Sequence, residues 1–113
     1  MVADFTRHID RDWVSVFEKD GIVAGYAILI IGERQALLDN IAVAPAQQSK
    51  GIGRALIDAV ERKAASQGHR QLELYTNVVM TANIAWYQRL GFVEIRRAEE
   101  YGFHRIYMSK SIV

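Results

Sequence analysis

Apolar and polar positions alternate with period two early in the chain and change to a helical period near its middle. Trp13-Val14-Ser15-Val16-Phe17 reads as a strand, and Lys19-Asp20-Gly21 reads as a hairpin turn of Asp-Gly type. Ile22–Ile31 is a second strand, with Gly25 as a candidate bulge, and Gly32-Glu33-Arg34 turns the chain into a third, Ala36–Val43. From Gly51 to Gln67 the apolar residues fall at Ile52, Leu56, Ala59, Val60 and Ala64, the spacing of one helix face, and Gly68 is a suitable stop. Gln71–Tyr75 returns to a strand, parallel to the third if the helix is a right-handed crossover. Thr81–Leu90 predicts a shorter helix with Thr81 as N-cap and Gly91 as terminator. Phe92–Arg96 and Arg105–Lys110 close the pattern as strands around a turn near Tyr101-Gly102. The predicted order is β-β-β-α-β-α-β-β.

Composition narrows the class. The chain has 113 residues, half of them hydrophobic, a net charge of +1, one proline and no cysteine. That describes a folded chain, read as one domain spanning 1–113, without repeats, linkers or low-complexity segments. No basic run with interleaved aromatics points to nucleic acid, and no apolar stretch is long enough for a membrane span. The start lacks the basic and apolar pattern of a signal segment, so a cytoplasmic location is expected. Without cysteine there is no disulfide, no thiolate zinc site and no acyl-cysteine route. His8, His69 and His104 are too scattered to suggest a metal site, and none is expected.

The chemistry concentrates at Gln48-Ser49-Lys50-Gly51-Ile52-Gly53-Arg54, between the third strand and the long helix. A strand, a glycine-bearing turn and a helix N-terminus point several N–H groups at one spot, where the helix dipole favours an anion. Lys50 and Arg54 add positive charge at that end. The turn is not a Walker loop, because no Lys-Ser/Thr pair follows Gly53. Nor is it the dinucleotide fingerprint, which needs a small residue where Leu56 stands. On its own, Gly51-x-Gly53 is equally a tight helix-start turn.

Its setting is more specific. Gln48-x-x-Gly51-x-Gly53 after Ile41-Ala42-Val43 resembles the acetyl-CoA signature of the GNAT N-acetyltransferase superfamily, Gln/Arg-x-x-Gly-x-Gly/Ala. Downstream, Trp86-Tyr87-Gln88-Arg89-Leu90-Gly91-Phe92 resembles the end of that superfamily's fourth helix, aromatic-Tyr-x-x-Leu-Gly-Phe. The resemblance runs over about residues 13–110. It implies an α/β (α+β) fold with a mixed, mostly antiparallel sheet and a β-α-β acetyl-CoA core. The superfamily's usual opening, a strand followed by helices, is expected to be missing, because too little chain precedes Trp13. A homodimer that completes the sheet and acceptor pocket is one way to cover the edge so exposed.

The same resemblance implies roles residue by residue. Backbone groups of Ile41, Ala42 and Val43 would bond the pantetheine arm, and the N–H groups from Gln48 through Ser49, Lys50, Gly51, Ile52, Gly53 and Arg54 the pyrophosphate. Tyr87 would protonate the departing thiolate, since a phenol of pKa about 10 keeps its proton at neutral pH. The base is open. Where some branches carry Glu on the third strand this chain has Leu37, leaving Asp39, expected on the same face as Leu37 and Ile41, or Glu73 of Leu72-Glu73-Leu74, or a water chain. Asn83 is a cofactor contact from the short helix, with Asn77 and Thr81 as alternatives. The implied activity is acetyl transfer from acetyl-CoA to a primary amine of a small molecule or peptide. A non-catalytic acyl-CoA-binding module is the alternative.

Overall fold

The computed structural model describes residues 6–11, 13–48 and 50–112. Its strands are β1 (Thr6–Arg11), β2 (Val14–Lys19), β3 (Ile22–Ile31), β4 (Ala36–Val43), β5 (Gln71–Asn77), β6 (Val93–Glu100) and β7 (Phe103–Ser111). Helix α1 (Ile52–Ser66) joins β4 to β5, and α2 (Thr81–Arg89) joins β5 to β6. One seven-stranded sheet holds all the strands in the order β1-β2-β3-β4-β5-β7-β6. Every neighbouring pair is antiparallel except β4 and β5, which α1 crosses over to make parallel.

The expected N-terminal truncation is corrected in one respect. An opening strand is present, since β1 pairs with β2 from Thr6↔Lys19 to Arg11↔Val14. Its sequence, Thr-Arg-His-Ile-Asp-Arg, carries no alternating apolar face, so periodicity does not reveal it. Charged residues on an edge strand are a common defence against stray pairing. The edge of β2 that a second subunit was expected to cover is therefore already occupied by β1.

The core lies on one face of the sheet. Leu56, Ile57, Val60 and Ala64 of α1 are buried against Ala27, Leu29, Leu38, Ile41, Leu72, Leu74, Ile106 and Met108. Two irregularities set the phase of this face. The first is an extra residue at Ala24, where Phe17 pairs with Gly25 and Glu18 with Val23, so the bulge sits beside Gly25 and not at it. Gly25 has a different task. A Cβ there would stand 2.9 Å from the Ala42 carbonyl and 3.1 Å from Ile52 and Leu56, so its missing side chain lets α1 approach the sheet. The second is Asp39, left over between Leu29↔Leu38 and Ile28↔Asn40.

That second bulge corrects the expected facing of Asp39. Strict alternation would put Leu37, Asp39 and Ile41 on one face. The extra residue shifts the phase, so Ile41 joins Ala36 and Leu38 on the buried face while Asp39 and Asn40 are both exposed. Leu37 belongs to the opposite face, beside Ile30 on one flank and Glu73 on the other. That second face continues through the cross-strand pairs Tyr75↔Tyr107 and Arg96↔Tyr107.

Candidate active site

The parallel pairing of β4 and β5 is short. It consists of Ala36↔Leu72 and Leu37↔Glu73, after which the strands part. Each keeps its outer partner: β4 stays paired with β3 to Val43, and β5 with β7 to Asn77. A gap in the middle of the sheet results. It opens into a cavity of about 540 Å³ lined by Ile41, Ala42, Val43, Gln48, Gly53, Ala82, Asn83, Trp86 and Arg89.

One wall is the end of β4 with the start of α1. Gly51 takes a left-handed conformation (φ 81°) as the residue before the helix, and no side chain caps it. The first intrahelical bond is donated by Ala55 N–H to the Gly51 carbonyl at 3.0 Å, which leaves the preceding N–H groups of Ile52, Gly53 and Arg54 aimed outwards. No acidic residue lies in the first turn. The charge and the donors both favour an anion. Gln48 bends back, its Nε2 donating to the Val43 carbonyl at 3.3 Å.

The opposite wall is α2. Residues 82, 83, 86 and 89 share one helix face, and they are the residues of α2 that line the cavity. Trp86 lies so close to α1 that a Cβ on Gly53 would be 2.9 Å from its ring. Gly53 is thus needed for contact between the two walls. Arg54 Nη2 donates to the Arg89 carbonyl at 3.0 Å, binding the start of α1 to the last turn of α2. The Arg54 guanidinium is committed to this bridge. Met80, not Thr81, precedes α2 and offers no side-chain cap, while the Asn77 carboxamide accepts from Val79 N–H at 3.0 Å.

Tyr87 lies next to this wall. Its ring stacks beside Trp86 (5.7 Å between centroids) and meets Phe92 edge-on (6.2 Å). It is half-buried against the core, and burial pushes its phenol above the usual value of 10.0. Glu73 is partly buried and belongs to the other face, between Leu37 and Ser109. The split strands separate the two groups.

Of the residues expected from the sequence, Ile41, Ala42, Val43, Gln48, Gly53 and Asn83 meet in the cavity. Lys50, Gly51 and Ile52 border a smaller hollow of about 200 Å³ with Phe17, Lys19, Gln47 and Ala55. Ser49 lies outside the described residues. Tyr87, Asp39 and Glu73 are not in the cavity lining. Ala82, Trp86 and Arg89 were missed, although the helical period through Asn83 would have found them. Among the described residues no cluster of His, Cys, Asp and Glu could hold a metal ion, and no helix is long and apolar enough to cross a membrane.

The model of the acetyltransferase (GNAT) domain matches residues 10–94, and the chain belongs to that family. It is 38% identical over 81 residues to the [ribosomal protein bS18]-alanine N-acetyltransferase of Escherichia coli (strain K12), covering 70% of this chain and 55% of that one. It is 41% identical over 71 residues to the mycothiol acetyltransferase of Amycolatopsis mediterranei (strain U-32), covering 63% of this chain and 24% of that one. The chain thus spans about half the length of the first relative and about a quarter of the second. Among solved structures, nourseothricin acetyltransferase superposes with a TM-score of 0.81 at 26% identity, over 88% of this chain and 65% of that one. A GNAT family acetyltransferase from Elizabethkingia anophelis with acetyl-CoA bound shares the fold at a TM-score of 0.71 and 22% identity, over 87% of this chain and 74% of that one.

Proposed function

We propose that the chain is an N-acetyltransferase that moves the acetyl group of acetyl-CoA to a primary amine by direct attack in a ternary complex. The observation that carries this reading is the parting of β4 and β5 beyond Leu37 and Glu73, which opens into a cavity ending at the uncapped start of α1. An extended arm fits the gap as a strand would, and a pyrophosphate fits the outward N–H groups of Ile52, Gly53 and Arg54. The cosubstrate supplies an activated acyl thioester.

The residues divide the work. The backbone of Ile41, Ala42 and Val43 orients the arm, Gln48 and Lys50 flank the phosphates, and Asn83 contacts the arm from α2. The amine nitrogen forms a bond to the acetyl carbon while the carbon–sulfur bond breaks. Tyr87 gives its proton to the departing thiolate, and its raised pKa keeps that proton available at neutral pH. The amine's surplus proton leaves to Glu73, to Asp39 or along water. Glu73 is the better placed, because it is the β5 member of the last β4–β5 pair, at the mouth of the gap on the face opposite α1.

The test is a thermal-shift titration with acetyl-CoA, CoA and ATP. Selective stabilisation by the first two is expected, growing with ligand concentration over Kd. No shift in a well-folded protein overturns the reading. Tyr87→Phe is then expected to lower turnover about 100-fold with CoA affinity unchanged, the lower end of general-acid effects. A non-catalytic acyl-CoA-binding module would show the same thermal shift and no turnover on any amine.

A further inference from the structure

The sheet face turned away from α1 carries a compact group of rings and guanidinium groups beside the gap. Arg96 lies with its guanidinium carbon 3.6 Å from the centre of the Tyr107 ring. Tyr107 tilts against Tyr75 at 5.6 Å, and Arg105 lies 4.7 Å from the Tyr75 ring and 5.9 Å from that of Tyr101. Strand register places all of this on one surface. Tyr75 pairs with Tyr107, Tyr107 with Arg96, and Glu73 precedes Tyr75 by two residues on the same face. Leu72, Leu74, Ile106 and Met108 alternate with them and are buried under α1.

Two acids and two arginines share this surface, yet the arginines are not paired with the acids. Among the described residues neither Arg96 nor Arg105 is in an ion pair, whereas their neighbour Arg97 is bound to Glu94 at 3.0 Å on the other face. The nearby carboxylate, Glu100, accepts a hydrogen bond from the Tyr107 hydroxyl. Glu73 is the other acid of the face, one step nearer the gap. A guanidinium held over a ring face can still present its N–H groups for bidentate recognition of a carboxylate.

The geometry points to an acceptor that is a peptide whose amino terminus enters the gap and whose acidic side chain, within its first three residues, is held by Arg96 and Arg105. This rests on the acetyltransferase reading and deepens it. The spacing sets the class. Tyr75 and Tyr107 lie two residues along the strands from Glu73, a step of about 7 Å. An extended peptide advances about 3.5 Å per residue, so its second or third side chain reaches the stacked arginines when its amine is at the gap. A free α-amino acid, with amine and carboxylate on one carbon, cannot span that step. The charges also fit, with the acceptor's amine beside Glu73 and its acid beside the two guanidinium groups.

The experiment measures binding apart from turnover. Fluorescently labelled hexapeptides beginning Ala-Asp, Ala-Asn or Ala-Lys and otherwise identical are titrated by anisotropy into the CoA-saturated protein. The Ala-Asp peptide is expected to bind at least tenfold more tightly than Ala-Asn, about 1.4 kcal/mol, and the margin should shrink as salt rises. Arg96→Glu with Arg105→Glu is expected to reverse the order in favour of Ala-Lys. A loss of packing does not produce such a reversal, and melting temperatures confirm that the variants are folded. Equal affinities for the Asp and Asn peptides, or an order unchanged in the double variant, overturn the inference. So does competition by free glutamate as effective as that of the Ala-Asp peptide. A CoA titration on the same preparation stands apart: its failure removes the acetyltransferase reading, and its success with indifferent peptides removes only the inference.

Discussion

The two helices flank the same cavity but are held in different ways. Helix α1 has 15 residues and buries Ile52, Leu56, Ile57, Ala59, Val60 and Ala64 against the sheet. Helix α2 has nine residues and fully buries none. It is fixed at points: Trp86 against Gly53, Tyr87 against Phe92, and the Arg54 side chain on the Arg89 carbonyl. The first helix is part of the core and supplies a fixed set of backbone donors. The second is a wall whose position depends on a few contacts with the first.

Parallel truncations would break the comparison most sharply. Leu56→Ala, at a fully buried position, is expected to cost about 2–5 kcal/mol in urea unfolding. Ile84→Ala, half-buried on α2, should cost less than half as much; equal losses would show α2 to be core as well. Next comes Gly53→Val. The added branch meets the Trp86 ring and must push α2 outward, which is expected to cost about 1–3 kcal/mol and to weaken CoA binding measured by calorimetry. A helix-propensity gain relative to glycine, at most about 1 kcal/mol, offsets part of the strain.

Smaller effects sharpen the picture. Arg54→Ala removes one hydrogen bond to the end of α2 and is expected to cost about 1 kcal/mol, with faster amide exchange confined to α2 and its terminal turn. The smallest concerns pH. Burial raises the Tyr87 pKa in the folded state, so folding favours the protonated phenol. Its contribution is complete below the unfolded value of about 10 and is lost as pH rises through the folded value. Melting temperatures taken from pH 9 upwards should therefore fall less steeply in Tyr87→Phe than in the parent protein.

Much of this was readable in the sequence, for reasons that differ by element. Helix α1 announced itself because its apolar stripe faces a sheet along its whole length, and period and packing coincide there. The Gln48 to Gly53 turn was readable because its chemistry lies in glycines and backbone donors whose positions the letters fix. Strand β1 was not, since an edge strand with a polar sequence leaves no periodic trace. Asp39 was assigned to the wrong face because one extra residue shifts every later side chain, and a bulge leaves no mark in an alternating pattern. The bond from the Arg54 side chain to the Arg89 carbonyl was not readable either, because that partner is distant in sequence. The ring and guanidinium surface was invisible for a similar reason: Tyr75, Arg96, Arg105 and Tyr107 come from three strands and meet only through register.

The short pairing of β4 with β5 also has a mechanical consequence. It divides the sheet into two leaves, β1–β4 and β5–β7, joined edge to edge by Ala36↔Leu72 and Leu37↔Glu73 and spanned by α1. So narrow a seam offers little resistance to twisting of one leaf against the other. Whatever fills the gap acts as a strut between the leaves. Its arrival is therefore expected to damp motion at the outermost strands, β1 and β6, which amide exchange with and without CoA would read.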